Sequence, residues 1–212
     1  NPDYASLGAL DVDAFRADLG LLMQGESVTL PRYDFATGTR QSGPSIQLDR
    51  DQILLVEGIH GLNPNLSVDP SVSKAFRIFV SALTQLNLDI HNRVSTTDTR
   101  LIRRIVRDAH FRGYDATETL SLWDNVRRGE KDNIFPYQEG ADIMFNSALG
   151  YELAVLKPLV EPLLLQVRSS AGRIEAERLL ALLRWFDPCR TETIPGNSIL
   201  REFIGGSLFK EF

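Results

Sequence analysis

The sequence predicts an α/β fold, a mostly parallel sheet with helices on both faces. Three observations carry this. Residues 53–56, ILLV, form an unbroken apolar run ending at Glu57-Gly58, the pattern of a strand buried on both faces. Two more short strands, FRIFVSA at 76–82 and ADIMFNSA at 141–148, are separated by helical periodicity rather than by hairpin turns. No internal repeat suggests a solenoid or propeller. Three strands are few for such a sheet, and the expectation is that further strands precede residue 1.

The elements follow in order. The opening NPDYASLGALD has no periodicity and reads as loop. Asp11 or Asp13 can cap a helix through DAFRADLGLLMQ, with Phe15, Leu19, Leu22 and Met23 on one face and Gly25 as its stop. VTLPRYDFATGTRQSGPSIQL holds two extended pieces around Thr-Gly and Ser-Gly-Pro, a hairpin-like excursion. After the 53–56 strand, NPNLSVDPSV is a loop with a short helix. STTDTRLIRRIVRDAHFRG is a helix with Thr97 or Asp98 near its cap and Gly113 at its end. TETLSLWDNVRRGEK is a helix stopped by Gly129. YELAVLKPLVEPLLLQVR and IEAERLLALLRWF are amphipathic helices, and IPGNSILREFIGGS is less regular.

Composition narrows the function. A chain of 212 residues, 43% hydrophobic and 24% charged, has the profile of an ordinary soluble protein with one good core. No apolar run approaches a membrane span, and the N-terminus shows no signal peptide. One cysteine, Cys189, forms no internal disulfide, and with three scattered histidines it builds no structural zinc site. A reducing cytoplasm is the expected compartment. A net charge of -5 argues against general nucleic-acid binding. Yet 19 of the 23 basic residues are arginine, and five of these lie between residues 100 and 112.

Three stretches have chemical content. Glu57 sits at the carboxyl end of a predicted strand, where α/β sheets bind ligands. A carboxylate there can hold Mg²⁺ beside phosphates, or merely cap the next turn. On the arginine helix, Arg100, Arg103 or Arg104, and Arg107 share a face, while Leu101 and Ile105, with Ile102 and Val106 beside them, pack inward. Guanidinium grips phosphate bidentately and can neutralise charge on a phosphoryl group in transfer. Alone, this helix reads as a solvated face with internal pairs such as Arg104–Asp108. In LPRYDFATGTR, Tyr33 and Phe35 could stack on a flat ring and Arg32 or Arg40 could reach a phosphate or hydroxyl; an ordinary hairpin is the plainer reading. No GxxxxGK[ST] loop, Rossmann fingerprint or GxSxG occurs, and His60, His91 and His110 lack metal-ligand spacing.

In order, ALDVDAF, LPRYDFATGTR, LLVEGIHGL, FRIFV, TDTRLIRRIVRDAHFRG and ADIMFNSA resemble the uridine kinase and phosphoribulokinase family of P-loop kinases, over about residues 9–165. SALTQLNLD, TTDTRLIRRIVRD, VRRGEKDNIFPYQEGADIMFNSALGYELAVLKP and NSILREFIGGS are similar to one bacterial subgroup, in which a uridine-kinase-like domain follows regions like those of threonyl-tRNA synthetase. The resemblance implies a P-loop kinase-like parallel sheet flanked by helices, here without the P-loop strand and the strand after it. It implies a partial kinase domain at 1–170 and a helical extension at 171–212 packing on the same domain.

It also implies ATP and Mg²⁺ as cofactors and transfer of the γ-phosphate to a hydroxyl of a small acceptor, a nucleoside such as uridine or a sugar. Glu57 would be the Mg²⁺-associated acid. Arg107 and Arg112 would be lid arginines contacting ATP phosphates and the moving phosphoryl group. Arg104 would face the acceptor, Tyr33 would pack on or hydrogen-bond its base, and Asp11 or Asp13 would hold ribose hydroxyls. The sequence departs from pyrimidine nucleoside kinases at Gly38, where they carry a base-contacting His, and at Leu122 and Trp123, where they place a base-reading Gln. Tyr114 stands where they carry a further lid Arg. The family's P-loop and acidic general base are absent from these residues, so the segment alone is expected to be inactive. The alternatives are a catalytically silent nucleotide-sensing or RNA-linked module, and an oligomerisation surface on the helices bearing Leu163, Leu164, Leu165, Leu179, Leu180, Leu182 and Leu183, which leaves a homo-oligomer open. Packing of those leucines on the sheet of their own domain is the first expectation.

Overall fold

The first helix forms where the sequence places its cap. In the computed structural model, which describes residues 6–34, 39–67 and 75–209, the Asp11 carboxylate accepts the Ala14 amide at 3.1 Å. It opens α1, Val12–Met23, by satisfying a donor that a helix start leaves without a partner. Gly25, at φ +79°, ends it, and the amides of Gly25 and Glu26 return to the carbonyls of Leu22 and Leu21. Leu22 is buried and Phe15 and Leu19 are half-buried, but Met23 is exposed. It lies about 100° round the helix from Leu22.

The predicted hairpin is β1, Val28–Asp34, paired antiparallel with β2, Thr39–Ile46. Its register breaks between Thr29 and Pro31, where proline has no amide to give the ladder. Gly43 lies opposite this break. A Cβ there would stand 2.8 Å from the Leu30 carbonyl oxygen, so the close approach requires glycine. Phe35 and Gly38 lie outside the described residues.

The run at 53–56 is not a strand. These residues have no regular structure, and Ile53 and Leu55 are 94% and 84% exposed. Apolar character suits a strand to burial but supplies no hydrogen-bonding edge, and among the described residues no strand pairs with it. The other two predicted strands form β3, Ile78–Ser81, and β4, Ile143–Asn146. They pair in a two-stranded sheet. The Asp142 amide donates to the Arg77 carbonyl and the Ser147 amide to the Ser81 carbonyl. Both partners advance together along the chain, so the strands are parallel.

The chain forms two compact units, Asn1–Phe79 with Arg128–Ile143, and Val80–Arg127 with Met144–Phe212. The second is built on α2, Thr96–Arg107, which follows β3. Next come α3, Ala116–Asn133, which belongs to this unit as far as Arg127, then α4, Glu152–Leu165, α5, Ser170–Leu183, and the short α6, Arg201–Ile204. Gly129 does not stop α3, which runs on to Asn133. Glycine inside a helix costs only about 1 kcal/mol, and both Gly129 and Glu130 are buried. Trp123 fills the core while Leu122 is exposed.

Leu101, Ile102, Ile105 and Val106 of α2 are buried with Leu156, Val160 and Leu164 of α4 and Leu179 and Leu183 of α5. Each such side chain contributes about 1.5–3 kcal/mol of burial. The C-terminal leucines thus enter a helix-on-helix core centred on α2, and only Leu165 of those named is largely exposed, at 73%. Proline at 158 removes the amide that would have met the Ala154 carbonyl. The Cys189 amide takes that place at 2.9 Å.

Arg178 ties α5 to the first turn of α2. Its guanidinium donates to both oxygens of Asp98, at 2.6 and 2.9 Å, and to both oxygens of Glu175. Hydrogen bonding from Arg178 holds the Glu175 carboxyl below the usual range, and the two carboxylates raise Arg178. Because the folded-state pKa of Glu175 is the lower one, the pair stabilises the fold above the ordinary glutamate range, and the contribution fades as pH falls through the folded value. Wild type and Glu175→Gln should differ by no more than about 1 kcal/mol in urea unfolding at pH 7. They should converge only below about pH 4. A gap that never closes on acidification down to the point where both proteins unfold would remove the ionic explanation.

Candidate active site

The arginines of α2 have different fates, decided by the turn each occupies. The Ser95 hydroxyl accepts the Thr97 amide at 3.1 Å, so the cap is Ser95 rather than Thr97 or Asp98. Beyond Arg107 the helix widens into one π turn, Asp108–Arg112, and Gly113 at φ +70° closes it. The Asp108 carboxylate is buried inside this turn. It accepts from Arg104 Nε and Arg112 Nη1, each at 3.1 Å, and from Thr119 Oγ1 at 3.2 Å. One buried acid thus orients two guanidinia that remain reachable from solvent, with side chains 24% and 46% exposed.

Arg103 turns inward. Its Nε donates to Glu152 Oε2, Nη2 to the Ser147 carbonyl at 2.7 Å and Nη1 to Ser147 Oγ at 3.3 Å. The other oxygen of Glu152 accepts the Leu149 amide at 2.9 Å. Its guanidinium lies 5.1 Å from the centre of the Phe203 ring. A buried ion pair with its hydrogen bonds filled has a structural part, and Arg103 has no free face for a ligand. Arg107 stands one turn further on. Its Nη1 donates to Glu202 Oε1 at 2.9 Å, and its guanidinium lies 5.7 Å from the same ring. Its Nε is buried without a hydrogen-bond partner.

The same unit holds a crevice at the carboxyl ends of β3 and β4. A cavity of about 270 Å³ is lined by Thr84, Thr99, Asn146, Glu152 and Leu153 among others. In open α/β sheets ligands enter at such strand ends.

The first unit carries the remaining predicted residues. Glu57 is exposed, and the chain after it turns tightly, the Gly61 amide meeting the Gly58 carbonyl at 3.0 Å. Tyr33 is half exposed and pairs across the hairpin with Arg40. Cross-strand partners share a face, and Arg40 Nη1 donates to Asp11 Oδ2 at 2.8 Å. The structure therefore groups Tyr33, Arg40 and Asp11 at the start of α1. Both oxygens of Asp11 are engaged, by Arg40 and by the Ala14 amide. Asp13 is exposed in the first turn of the helix.

Among the described residues no group of three or more His, Cys, Asp or Glu side chains could hold a metal ion. A single exposed carboxylate such as Glu57 can still ligate a hard cation that brings its other oxygen ligands with it. No helix among the described residues is long and apolar enough to cross a membrane. Sequence reasoning missed Glu202, Phe203 and Ser147 as partners of these arginines. It also missed that Asp108 serves Arg112 as well as Arg104, although the 104, 108, 112 spacing is legible as one helical stripe.

The parallel pair β3 and β4 with its flanking helices, a crevice at the strand ends and the arginine helix as the next helix after β3 make an α/β protein whose arrangement is consistent with a P-loop kinase-like fold. The sequence profile of the phosphoribulokinase / uridine kinase family matches residues 1–151, and the chain belongs to that family. A uridine kinase of Halobacterium salinarum is 26% identical over 146 residues, which are 68% of this chain and 57% of that protein. Uridine kinases of Staphylococcus epidermidis and Staphylococcus aureus are 28% and 27% identical, over 69% of this chain and 63% of their own length. The chain spans about three fifths of the length of these curated relatives.

Proposed function

We propose that the chain is part of a cytoplasmic ATP-dependent kinase that transfers a phosphoryl group to a hydroxyl of a small acceptor, most simply a nucleoside 5′-hydroxyl. The observation that carries this reading is the Asp108 hub, which aims Arg104 and Arg112 outward from the family's arginine motif. Arg107 and Arg112 would hold the nucleotide phosphates, and Glu57 would hold Mg²⁺. Bound Mg²⁺ would offset charge on the phosphates. Fixed guanidinia stabilise the phosphoryl group in transfer without reorganising, which makes position and charge the main sources of rate. Tyr33 would pack on or hydrogen-bond the acceptor base, Arg104 would face the acceptor, and Asp13, whose side chain is exposed, or Asp11 would hold its ribose hydroxyls.

These 212 residues contain no GxxxxGK[ST] loop, so the chain by itself is expected to turn over no ATP. The test is a coupled kinase assay on the full gene product against a panel of nucleosides and sugars. Glu57→Gln should lower Mg²⁺-dependent turnover by about 10- to 100-fold, with folding unchanged by circular dichroism. Unchanged turnover would remove Glu57 from the site. Nucleotide binding without turnover on any acceptor would favour the second reading, a silent sensing or RNA-linked module joined to a synthetase-like region. The engagement of Arg107 by an internal carboxylate is the observation on that side.

A further inference from the structure

The family match ends at residue 151, yet two arginines of the family's helix rest on residues beyond it. Phe203 is 7% exposed, and its ring lies beneath the guanidinia of both Arg103 and Arg107. Glu202, beside it, has a side chain 55% exposed and holds Arg107 Nη1 at 2.9 Å. The segment presenting these residues is itself fastened. Arg201 donates to the carbonyls of Thr191, Ile194 and Gly205, and Leu200 is fully buried. Neither contact is a chance touch of a loose tail.

We propose that this C-terminal segment is a built-in gate on the arginine site: Phe203 is a shelf that positions Arg107, and Glu202 is an internal counter-ion that an incoming phosphate group must displace. This rests on the reading of Arg107 as a phosphate ligand. The chemistry favours displacement. A polyphosphate offers several anionic oxygens in a geometry that suits the guanidinium fork, whereas Glu202 offers one contact at a half-exposed position. An ion pair of that kind is weak enough to yield to a multiply charged ligand. The Phe203 shelf stays in place when the carboxylate leaves, so Arg107 keeps its aim.

The experiment titrates inorganic tripolyphosphate into the whole protein by calorimetry, at fixed low salt. Glu202→Gln should bind it about two- to fivefold more tightly than wild type, and Phe203→Leu, which keeps the bulk but loses the ring, should bind it more weakly. The gain in Glu202→Gln should vanish when Arg107→Gln is added, because no cation is then left for the carboxylate to hold, and Glu177→Gln should match wild type. Binding by wild type that is unchanged or weakened in Glu202→Gln overturns the gate and leaves the kinase reading standing. No binding by either protein overturns the gate together with the phosphate role of Arg107. A gain that persists in the Arg107→Gln background shows a general charge effect and overturns the gate as well.

Discussion

Glu152→Ala should destabilise the second unit by about 3–5 kcal/mol, because it strands the Arg103 guanidinium in the core. Arg103 and Glu152 are 6% and 2% exposed, and Glu152 also caps the Leu149 amide. Alanine removes the counter-charge, the acceptor of Arg103 Nε and the acceptor of that amide at once. Water cannot replace them without opening the helix pair α2 and α4. At this chain length, about 1 kcal/mol corresponds to about 2–4 °C, so the loss amounts to a fall in Tm on the order of 10 °C. The informative companion is Arg103→Met with Glu152→Met. Replacing both charges with apolar groups of similar reach removes their desolvation cost along with their attraction, and the double variant should recover most of the loss. Additive losses in the double variant would show that Arg103 matters through Ser147 and Phe203 rather than through Glu152.

Arg107→Ala should lower kcat/KM of the full gene product by about 10²–10³, the scale for removing one preorganised charge from a developing phosphoryl oxyanion. The side chain is 25% exposed and leans on Phe203, so the substitution also removes packing. Arg107→Lys separates the two effects. It keeps the charge and most of the stem but loses the planar fork, and it should restore Tm more fully than turnover. Arg103→Lys, one turn back and turned inward, should show the opposite balance: a larger loss of Tm than of turnover. Equal turnover in wild type and Arg107→Ala would leave the arginine helix as a structural element with an ion-paired surface.

The arginine helix shows how far local pattern reaches. Leu101, Ile102, Ile105 and Val106 are buried as the 3.6-residue period requires, and Gly113 closes the helix where only glycine is relaxed at positive φ. The Arg104–Asp108 pair was legible because both ends lie on one helix, four residues apart. Nothing in that stripe indicates that Arg103 turns into the core, since its partners are 44 and 49 residues away. Glu202 is 95 residues from Arg107. Side-chain fate on a helix with basic residues on two turns depends on which neighbour brings a carboxylate, and that is a property of packing.

The strand at 53–56 marks the same boundary from the other side. Its apolar run expresses a preference for burial, which the sequence carries residue by residue. A strand also needs a partner edge, which no run of side chains can encode alone. Local pattern was enough for the presence and order of the helices, the hairpin, the two strand segments that became β3 and β4 and the order of the family motifs, because turns and periodicity act within a few residues. Only the tertiary structure decided which arginines are structural and which face outward. It alone placed Tyr33, Arg40 and Asp11 together and drew residues 202 and 203 onto the arginine helix, because those outcomes follow from charges and surfaces meeting across long stretches of chain.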